Sequence, residues 1–191
     1  MKSFAFVLFA GLALIAVPAG AQFEGPDSLQ FIKAVQDRDG NKATQLLSDH
    51  PTVINAKDGK GDTGLIVALR NGDSDWAEFL LGKGADPNLP GAGGDTPLIT
   101  AAKSGLYDIA DILLRVGVKV DGTNKSGETP LIIAVQQRNA RLVRLFLQHG
   151  ADPDRTDAAA GYSARDYANR DARSRDIKQL IDEKKPKKAG L

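Results

Sequence analysis

The 191-residue sequence has no cysteine, one methionine, one tryptophan and two histidines. The lack of cysteine excludes a disulfide scaffold, a catalytic thiolate, a thiolate zinc site and a lipid-modified N-terminal cysteine. Neither sign of charge is in excess, because 25 basic residues oppose 24 acidic ones, so no global attraction to nucleic acid is expected. The hydrophobic content of 42% is ordinary for a globular protein of this length, which can bury a core without disulfides.

The first 21 residues have the pattern of a secretory signal peptide. Lys2 is the only charge in this segment, and an apolar run follows it at residues 4–17. Ala19 and Ala21 then occupy the two small-residue positions of an A-x-A cleavage site. The alternative is an uncleaved membrane anchor, but a spanning helix needs about 20 apolar residues, and this run is interrupted by a proline and a glycine before that length. We therefore predict residues 1–21 to be a cleaved signal.

The composition of the remaining chain favours export into the periplasm of a Gram-negative bacterium. A eukaryotic extracellular protein more often carries disulfides, and this chain has no cysteine. Residues 184–191 contain four lysines and a proline, so we expect a disordered basic tail. The alternative for the tail is an electrostatic tether to an anionic surface. Otherwise we expect contact with the membrane only during export.

A repeat of constant period organises the sequence between these ends. Thr63, Thr96 and Thr129 recur at equal spacing within similar segments, at residues 61–68, 94–101 and 127–134. A weaker copy follows at residues 161–168. Glycine-containing turns keep the same period, at residues 84–88, 117–121 and 150–154. Two independent markers with one period indicate a stack of similar units.

Each unit is predicted to fold as a pair of short helices. In the third unit Thr96 suits an N-cap, and a helix is predicted over residues 97–104 before Gly105. Apolar residues at helical spacing predict a second helix over residues 107–115, which Gly117 would end in a left-handed cap. Helices this short are unstable alone in water, so each pair must bury its apolar side against its neighbours.

These motifs resemble the ankyrin-repeat family through T-P-L-x-x-A after a glycine, the Leu-Leu pair and G-A-D-P-N. The resemblance implies an all-α solenoid of stacked helix pairs joined by β-hairpin-like loops. The domain would span residues 22–183, with about five units and degenerate capping units at both ends. Isoleucine replaces the usual histidine after T-P-L, and Arg138 replaces the mid-repeat glycine. Because that histidine normally ties loop to helix, we expect less rigid loops here.

We find no motif for catalysis. Nucleophile elbows and phosphate-binding loops are absent from the sequence, and its two histidines are far apart in the repeat order. Residues 124–126 match a glycosylation sequon, which we interpret as a turn. We therefore predict no catalytic residue, no metal, no cofactor and no small-molecule substrate.

The resemblance implies a binding surface for a protein partner, in a concave groove formed by hairpin tips and inner helices. Arg70 and Lys103 are expected to make this groove mildly basic. Asp62, Asp95 and Glu128 recur at one hairpin position and are expected to form an acidic ridge beside it. The full set of candidate groove residues is Gly59, Lys60, Asp62, Arg70, Asn71, Lys83, Ala92, Gly93, Asp95, Lys103, Ser104, Val116, Lys125, Ser126, Glu128, Gln136, Gln137, His149 and Tyr162.

These features lead to one main hypothesis and two alternatives. The main hypothesis is a monomeric, non-enzymatic, exported module that binds, inhibits or protects an envelope protein. An enzyme, or an enzyme accessory factor, with a site that no motif reveals is the first alternative. A membrane-surface tether through the lysines of residues 184–188 is the second.

Overall fold

A computed structural model describes residues 26–183, which form ten α-helices and two short 3-10 helices. The predicted signal peptide, with Ala19 and Ala21, and the predicted basic tail at residues 184–191 lie outside the described residues. Within residues 26–183, no helix is both long enough and apolar enough to cross a bilayer.

The helices form five successive pairs. In chain order, the pairs are α1 (Pro26–Gln36) with α2 (Gly40–Asp49), α3 (Gly64–Arg70) with α4 (Ser74–Gly82), α5 (Pro97–Lys103) with α6 (Tyr107–Arg115), α7 (Pro130–Gln136) with α8 (Ala140–Gln148), and α9 (Ala164–Arg170) with α10 (Arg175–Asp182). The first helices of the pairs pack side by side as an inner row. The second helices lie on them as an outer row, in which α4, α6, α8 and α10 contact in succession. This arrangement confirms the predicted all-α solenoid.

A polar side chain before each inner helix fixes where that helix begins. The hydroxyl oxygens of Thr63, Thr96 and Thr129 each accept the backbone N–H three residues later, at 3.2 Å. In the last unit Ser163 does the same, and the carboxylate of Asp166 accepts the Ser163 N–H in return. These bonds satisfy backbone donors that the first turn of a helix leaves unpaired.

The inner helices α3, α5, α7 and α9 are seven residues long; α3, α5 and α7 each bury six of their seven residues, whereas α9 buries only two. In α5, Leu98 and Ile99 are buried against adjacent helices, and Ala101 and Ala102 are fully enclosed. A helix of two turns is unstable in water by itself. Close packing on α3, α6 and α7 therefore stabilises α5, and the small alanines permit the short distance between helix axes.

Two arginines occupy positions where the chain turns with positive φ after an inner helix. Gly72 holds this conformation in the second unit, whereas Arg38 (φ 57°) and Arg138 (φ 56°) hold it in the first and fourth. Each arginine reaches an aspartate of the following unit, Arg38 to Asp73 at 3.0 Å and Arg138 to Asp171. The hydrogen bond from Arg138 holds the pKa of Asp171 well below its ordinary value. These pairs connect both capping units to the units beside them.

The fifth unit has a polar outer surface. Arg165 takes the place of an expected buried leucine, and its side chain pairs with Asp154 at 2.6 Å and Asp182 at 3.0 Å. The hydrogen bond to Asp154 raises the pKa of Arg165 above its ordinary value. The charge of the mostly buried Arg165 is therefore satisfied by two aspartates, which fits the predicted role of the fifth unit as a cap.

The loops between units are hydrogen-bonded within themselves and to one another. Each is closed across its base, for example by the Asp58 N–H and the Asp62 carbonyl oxygen at 2.9 Å. The Lys125 N–H then donates to the carbonyl of the preceding loop at 3.0 Å, and the Ala158 N–H donates to Ser126 at 2.9 Å. The loops therefore form a second stacked layer beside the helices.

Two glycines at equivalent loop positions allow this layer to be tested. Gly127 and Gly161 both have positive φ, but a Cβ on Gly127 would lie 2.6 Å from the Ala158 nitrogen, whereas one on Gly161 would meet nothing within 4 Å. We expect Gly161→Ala to lower the free energy of unfolding by about 1 kcal/mol through left-handed strain. Gly127→Ala should lower it by about 2–4 kcal/mol, because overpacking is added to the strain. Urea unfolding followed by circular dichroism measures both, and equal losses would contradict the stacked loop layer.

Candidate functional site

An acid before each of two inner helices pairs with a base at the end of the same helix. Arg70 donates to the Asp62 carboxylate at 2.6 Å, and Lys103 donates to both carboxylate oxygens of Asp95 at 2.8 Å. In each pair the acid precedes the N-cap threonine and the base is the last residue of the seven-residue helix, so the base reaches back along the helix to the acid. The bases remain exposed at their ends, whereas Asp62 and Asp95 are 3% and 8% exposed.

The predicted acidic ridge is therefore wrong at Asp62 and Asp95, and Glu128 at the third position is half-buried. The reason is that Asp62 and Asp95 accept hydrogen bonds from the next loop, and Glu128 accepts one within its own loop. An Asp62 oxygen accepts the Ala92 N–H at 2.7 Å, and Asn124 donates to Asp95 at 3.0 Å and to Glu128 at 2.8 Å. These bonds tie loop to helix where the usual histidine is missing.

A buried aspartate also organises the last loop. Asp157 accepts hydrogen bonds from the Tyr167 hydroxyl at 2.6 Å and from the N–H groups of Ala160 and Gly161 at 2.7 and 3.0 Å. Burial raises the pKa of Asp157, but these hydrogen bonds together outweigh it and leave the pKa below its ordinary value. The bond to Asp157 raises the pKa of Tyr167, whose hydroxyl also bonds the Gln136 side chain.

The fifth unit keeps the eight-residue pairing with different chemistry. Tyr162 stands at the position of the acids, and the guanidinium of Arg170 lies over its ring, 4.5 Å from the centroid. The ring of Tyr162 also meets Tyr167 edge to face at 5.6 Å. Arg170 is thus held by an aromatic face where Arg70 and Lys103 are held by carboxylates.

The side chains at the ends of the inner helices form one continuous surface. Adjacent inner helices pack side by side, at about 8–10 Å for helices in contact, so equivalent residues lie next to one another. The side chain of Arg70 also donates to the Ala92 carbonyl at 3.4 Å, which brings the hairpin tips into the same surface. We call this surface the inner face; it comprises Lys60, Arg70, Asn71, Lys103, Ser104, Lys125, Gln136, Gln137, Tyr162 and Arg170.

Three residues predicted for the groove lie elsewhere. Lys83, Val116 and His149 follow the last residues of the outer helices α4, α6 and α8. Lys83 lies over the Phe79 ring, 5.5 Å from its centroid, and lines a cleft of about 190 Å³ between outer helices. Because α4, α6 and α8 belong to the outer row, their ends do not join the inner face.

The outer row also carries a shallow cavity of about 200 Å³. Trp76 and Phe79 line it with edge-to-face rings at 5.2 Å, together with Arg38, Gly40 and Asp75. Arg38 is already paired with the next unit, so the cavity is mainly an aromatic depression. Across residues 26–183, no group of three or more acidic or histidine side chains is placed to hold a metal ion.

Comparison with known proteins identifies the architecture. The family model described as ankyrin repeats (3 copies) matches residues 31–124, 65–157 and 109–187. The chain belongs to the ankyrin-repeat family. Ankyrin repeats are generally modules of protein–protein interaction, and typical members are non-enzymatic scaffolds. No curated protein sequence matches the chain.

The loop-holding role of Asp62 gives a stability prediction. Asp62→Ala removes the acceptor for the Ala92 N–H and the partner of Arg70, so we expect the free energy of unfolding to fall by about 2–3 kcal/mol. Glu78→Ala, at an exposed position of α4, is the control and should change it by less than about 0.5 kcal/mol. Chemical denaturation measures both. Equal effects would show that Asp62 does not hold the loop.

The Tyr167–Asp157 bond gives a pH-dependent prediction. At pH 7 we expect Tyr167→Phe to lower the free energy of unfolding by about 1–3 kcal/mol, because the buried carboxylate loses a donor. The pKa of folded Asp157 lies below the ordinary 3.8, so its ionised form contributes stability above that pH and loses it as the pH falls further. The difference between the two proteins should therefore shrink in acid. A constant difference down to about pH 3 would contradict this assignment.

Proposed function

We propose that this ankyrin-repeat protein is exported and binds a protein partner of the bacterial envelope through its inner face, without catalysing a reaction. The observation that carries the proposal is the row of exposed polar side chains at equivalent positions of successive units. Four neighbouring inner helices at about 8–10 Å spacing give this row a length of about 24–30 Å. A protein interface of standard size buries about 800 Å² on each partner, which is a patch of similar width.

The rigid support of these side chains favours binding. Arg70 and Lys103 are held by buried carboxylates. The side chain of Gln137 donates to the Lys103 carbonyl of the preceding unit at 2.8 Å. Arg170 is held by the ring of Tyr162. A partner therefore meets side chains that are already ordered, which reduces the entropy lost on association.

The positions of the titrating groups support a binding role over an enzymatic one. Hydrogen bonds from Ser163 lower the pKa of Asp166 within a helix cap, and Arg138 lowers the pKa of Asp171 between units. Asp157 and Tyr167 bond each other and the last loop. In a catalytic site, groups with shifted pKa values lie together in a cleft, whereas the groups with shifted pKa values here stabilise helix caps, loops and contacts between units.

The proposed location rests on the sequence. A charged start, an apolar run and the small residues Ala19 and Ala21 form a signal-peptide pattern. A chain without cysteine suits an envelope compartment in which neither stability nor function depends on disulfides. We expect the mature protein to begin at Gln22.

The binding face can be tested by blocking it without touching the buried pairs. Asn71 and Ser104 occupy equivalent positions on the inner face, and Asn71→Tyr with Ser104→Tyr would fill it while leaving Asp62–Arg70 intact. Glu78→Tyr with Arg144→Tyr places the same bulk at equivalent exposed positions of outer helices. Proteins captured from the host envelope by the full chain and by both variants are compared by mass spectrometry.

We expect the unmodified chain and the outer-helix variant to capture the same partner, and the inner-face variant to lose most of it. Thermal unfolding of all three proteins checks that the fold is retained. A partner lost only with the outer-helix variant would move the site to the outer row. A partner retained by both variants would overturn the proposal.

A further inference from the structure

We propose that the inner face recognises an acidic segment of its partner, and that Tyr162 and Arg170 form the anchor for one of its carboxylates. This inference rests on the proposed function and specifies the chemistry of the partner.

The exposed charge of the inner face is positive, although each of its two ion pairs contains one acid and one base. The side chain of Asp62 is 4% exposed and that of its partner Arg70 is 40% exposed. For the second pair the values are 12% for Asp95 and 40% for Lys103. Each pair therefore directs its cation toward solvent and keeps its carboxylate beneath the surface.

The hairpin tips add positive charge to the same face. Lys60 and Lys125 are exposed, and no ion pair joins either of them to another residue within 26–183. Lys125 follows Asn124, whose amide contacts the same Asp95 that holds Lys103. The lysines at the hairpin tips and the basic residues at the ends of the inner helices therefore line the same groove.

The anchor differs from the other pairs because its cation rests on an aromatic ring and not in an ion pair. The guanidinium carbon of Arg170 lies over the Tyr162 ring, 4.5 Å from its centroid. No ion pair within residues 26–183 joins Arg170 to an acid, although Asp166, one turn earlier in α9, attracts it electrostatically. Stacking leaves the N–H edge of a guanidinium available, and that edge matches the two oxygens of a carboxylate. Arginine and tyrosine are also the residue types that most often dominate binding energy at protein interfaces.

The distribution of charge along the stack places the anchor at its C-terminal end. Residues 26–121 carry 10 basic and 14 acidic side chains, whereas residues 122–183 carry 10 basic and 9 acidic. Four further lysines follow in residues 184–191. The net charge of these ranges therefore favours an acidic segment at the fourth and fifth units over the first three.

The low net charge of the described residues favours a protein segment over a nucleic acid. Residues 26–183 carry 20 basic and 23 acidic side chains, so only the inner face, and not the molecule as a whole, attracts an anion. A dense phosphate chain would also meet the buried carboxylates beneath Arg70 and Lys103, which oppose it.

The test uses the full chain and fluorescein-labelled peptides of twelve residues, measured by fluorescence anisotropy. One peptide alternates glutamate with serine, the second has glutamine for every glutamate, and the third has lysine; a single-stranded oligonucleotide of equal length is the fourth probe. We expect the acidic peptide to bind at least about tenfold more tightly than the glutamine peptide at low salt, and this advantage to fall as salt screens the charges.

Arg170→Gln should weaken binding of the acidic peptide about tenfold. The matched control is Arg141→Gln, since Arg141 also stacks on a tyrosine, Tyr107 at 3.8 Å, but on the outer helices. Both changes remove one positive charge, so only a local role of Arg170 separates them. We expect the control to leave the dissociation constant within about twofold.

Three results would overturn the inference. They are equal binding of the acidic and glutamine peptides, equal effects of Arg170→Gln and Arg141→Gln, and tighter binding of the oligonucleotide than of the acidic peptide. The capture experiment with Asn71 and Ser104 variants is independent of these results. If the inner-face variant loses its partner but one of these three results is found, the binding face stands, and either its acidic specificity or the Arg170 anchor is rejected.

Discussion

The structure depends on the mutual support of helices that are too short to exist alone. The central inner helices are seven residues long, and their apolar side chains are buried against the outer helix of the same unit and the inner helices of the adjacent units. Each unit therefore needs a neighbour on both sides. The first and last described units have a neighbour on one side only, and they differ in sequence from the central units. Helix α1 is eleven residues long and leaves Leu29 exposed, whereas α9 replaces an apolar residue by the ion-paired Arg165.

This constraint explains why buried carboxylates sit between the units. Stacked helices bring loops together, and loops carry backbone N–H groups that must find acceptors. Asp62 and Asp157 provide them, and every buried side-chain polar atom within residues 26–183 has a hydrogen-bond partner. A buried carboxylate is costly unless it is also paired with a cation or with several donors. Arg70 meets that requirement for Asp62, while the Tyr167 hydroxyl and two backbone N–H groups meet it for Asp157.

Residues that start and end helices made much of the fold predictable. The predicted helix over residues 107–115 matches Tyr107–Arg115, since Gly105 and Gly117 mark the turns on either side. The burial of Asp62 could not be read in the same way. An aspartate in a loop is typical of an exposed residue, and the N–H group that keeps Asp62 inside belongs to Ala92, 30 positions later. That contact exists only once the units are stacked.

The sequence predicted most residues of the inner face, but it placed some residues there wrongly and did not point to Arg170. Lys83 and His149 were expected in the groove from the resemblance to the family, but both follow second helices, whose ends lie in the outer row. Arg170 was missed because the last unit begins one residue late, so it falls outside a strict 33-residue spacing. The signal that could have found it is its position eight residues after Tyr162, which repeats the spacing from Asp62 to Arg70.

The same pairs that stabilise the loops also set how strongly each unit can bind. A partner carboxylate that approaches Arg70 must share it with Asp62, and any loss of that bond leaves a buried charge with fewer partners. No ion pair within residues 26–183 holds Arg170, which lies over the neutral ring of Tyr162 and near the exposed Asp166. Binding at Arg170 therefore adds an ion pair, whereas binding at Arg70 redistributes one. Affinity should come mainly from the C-terminal end of the inner face, and the N-terminal units should act through shape and hydrogen bonding.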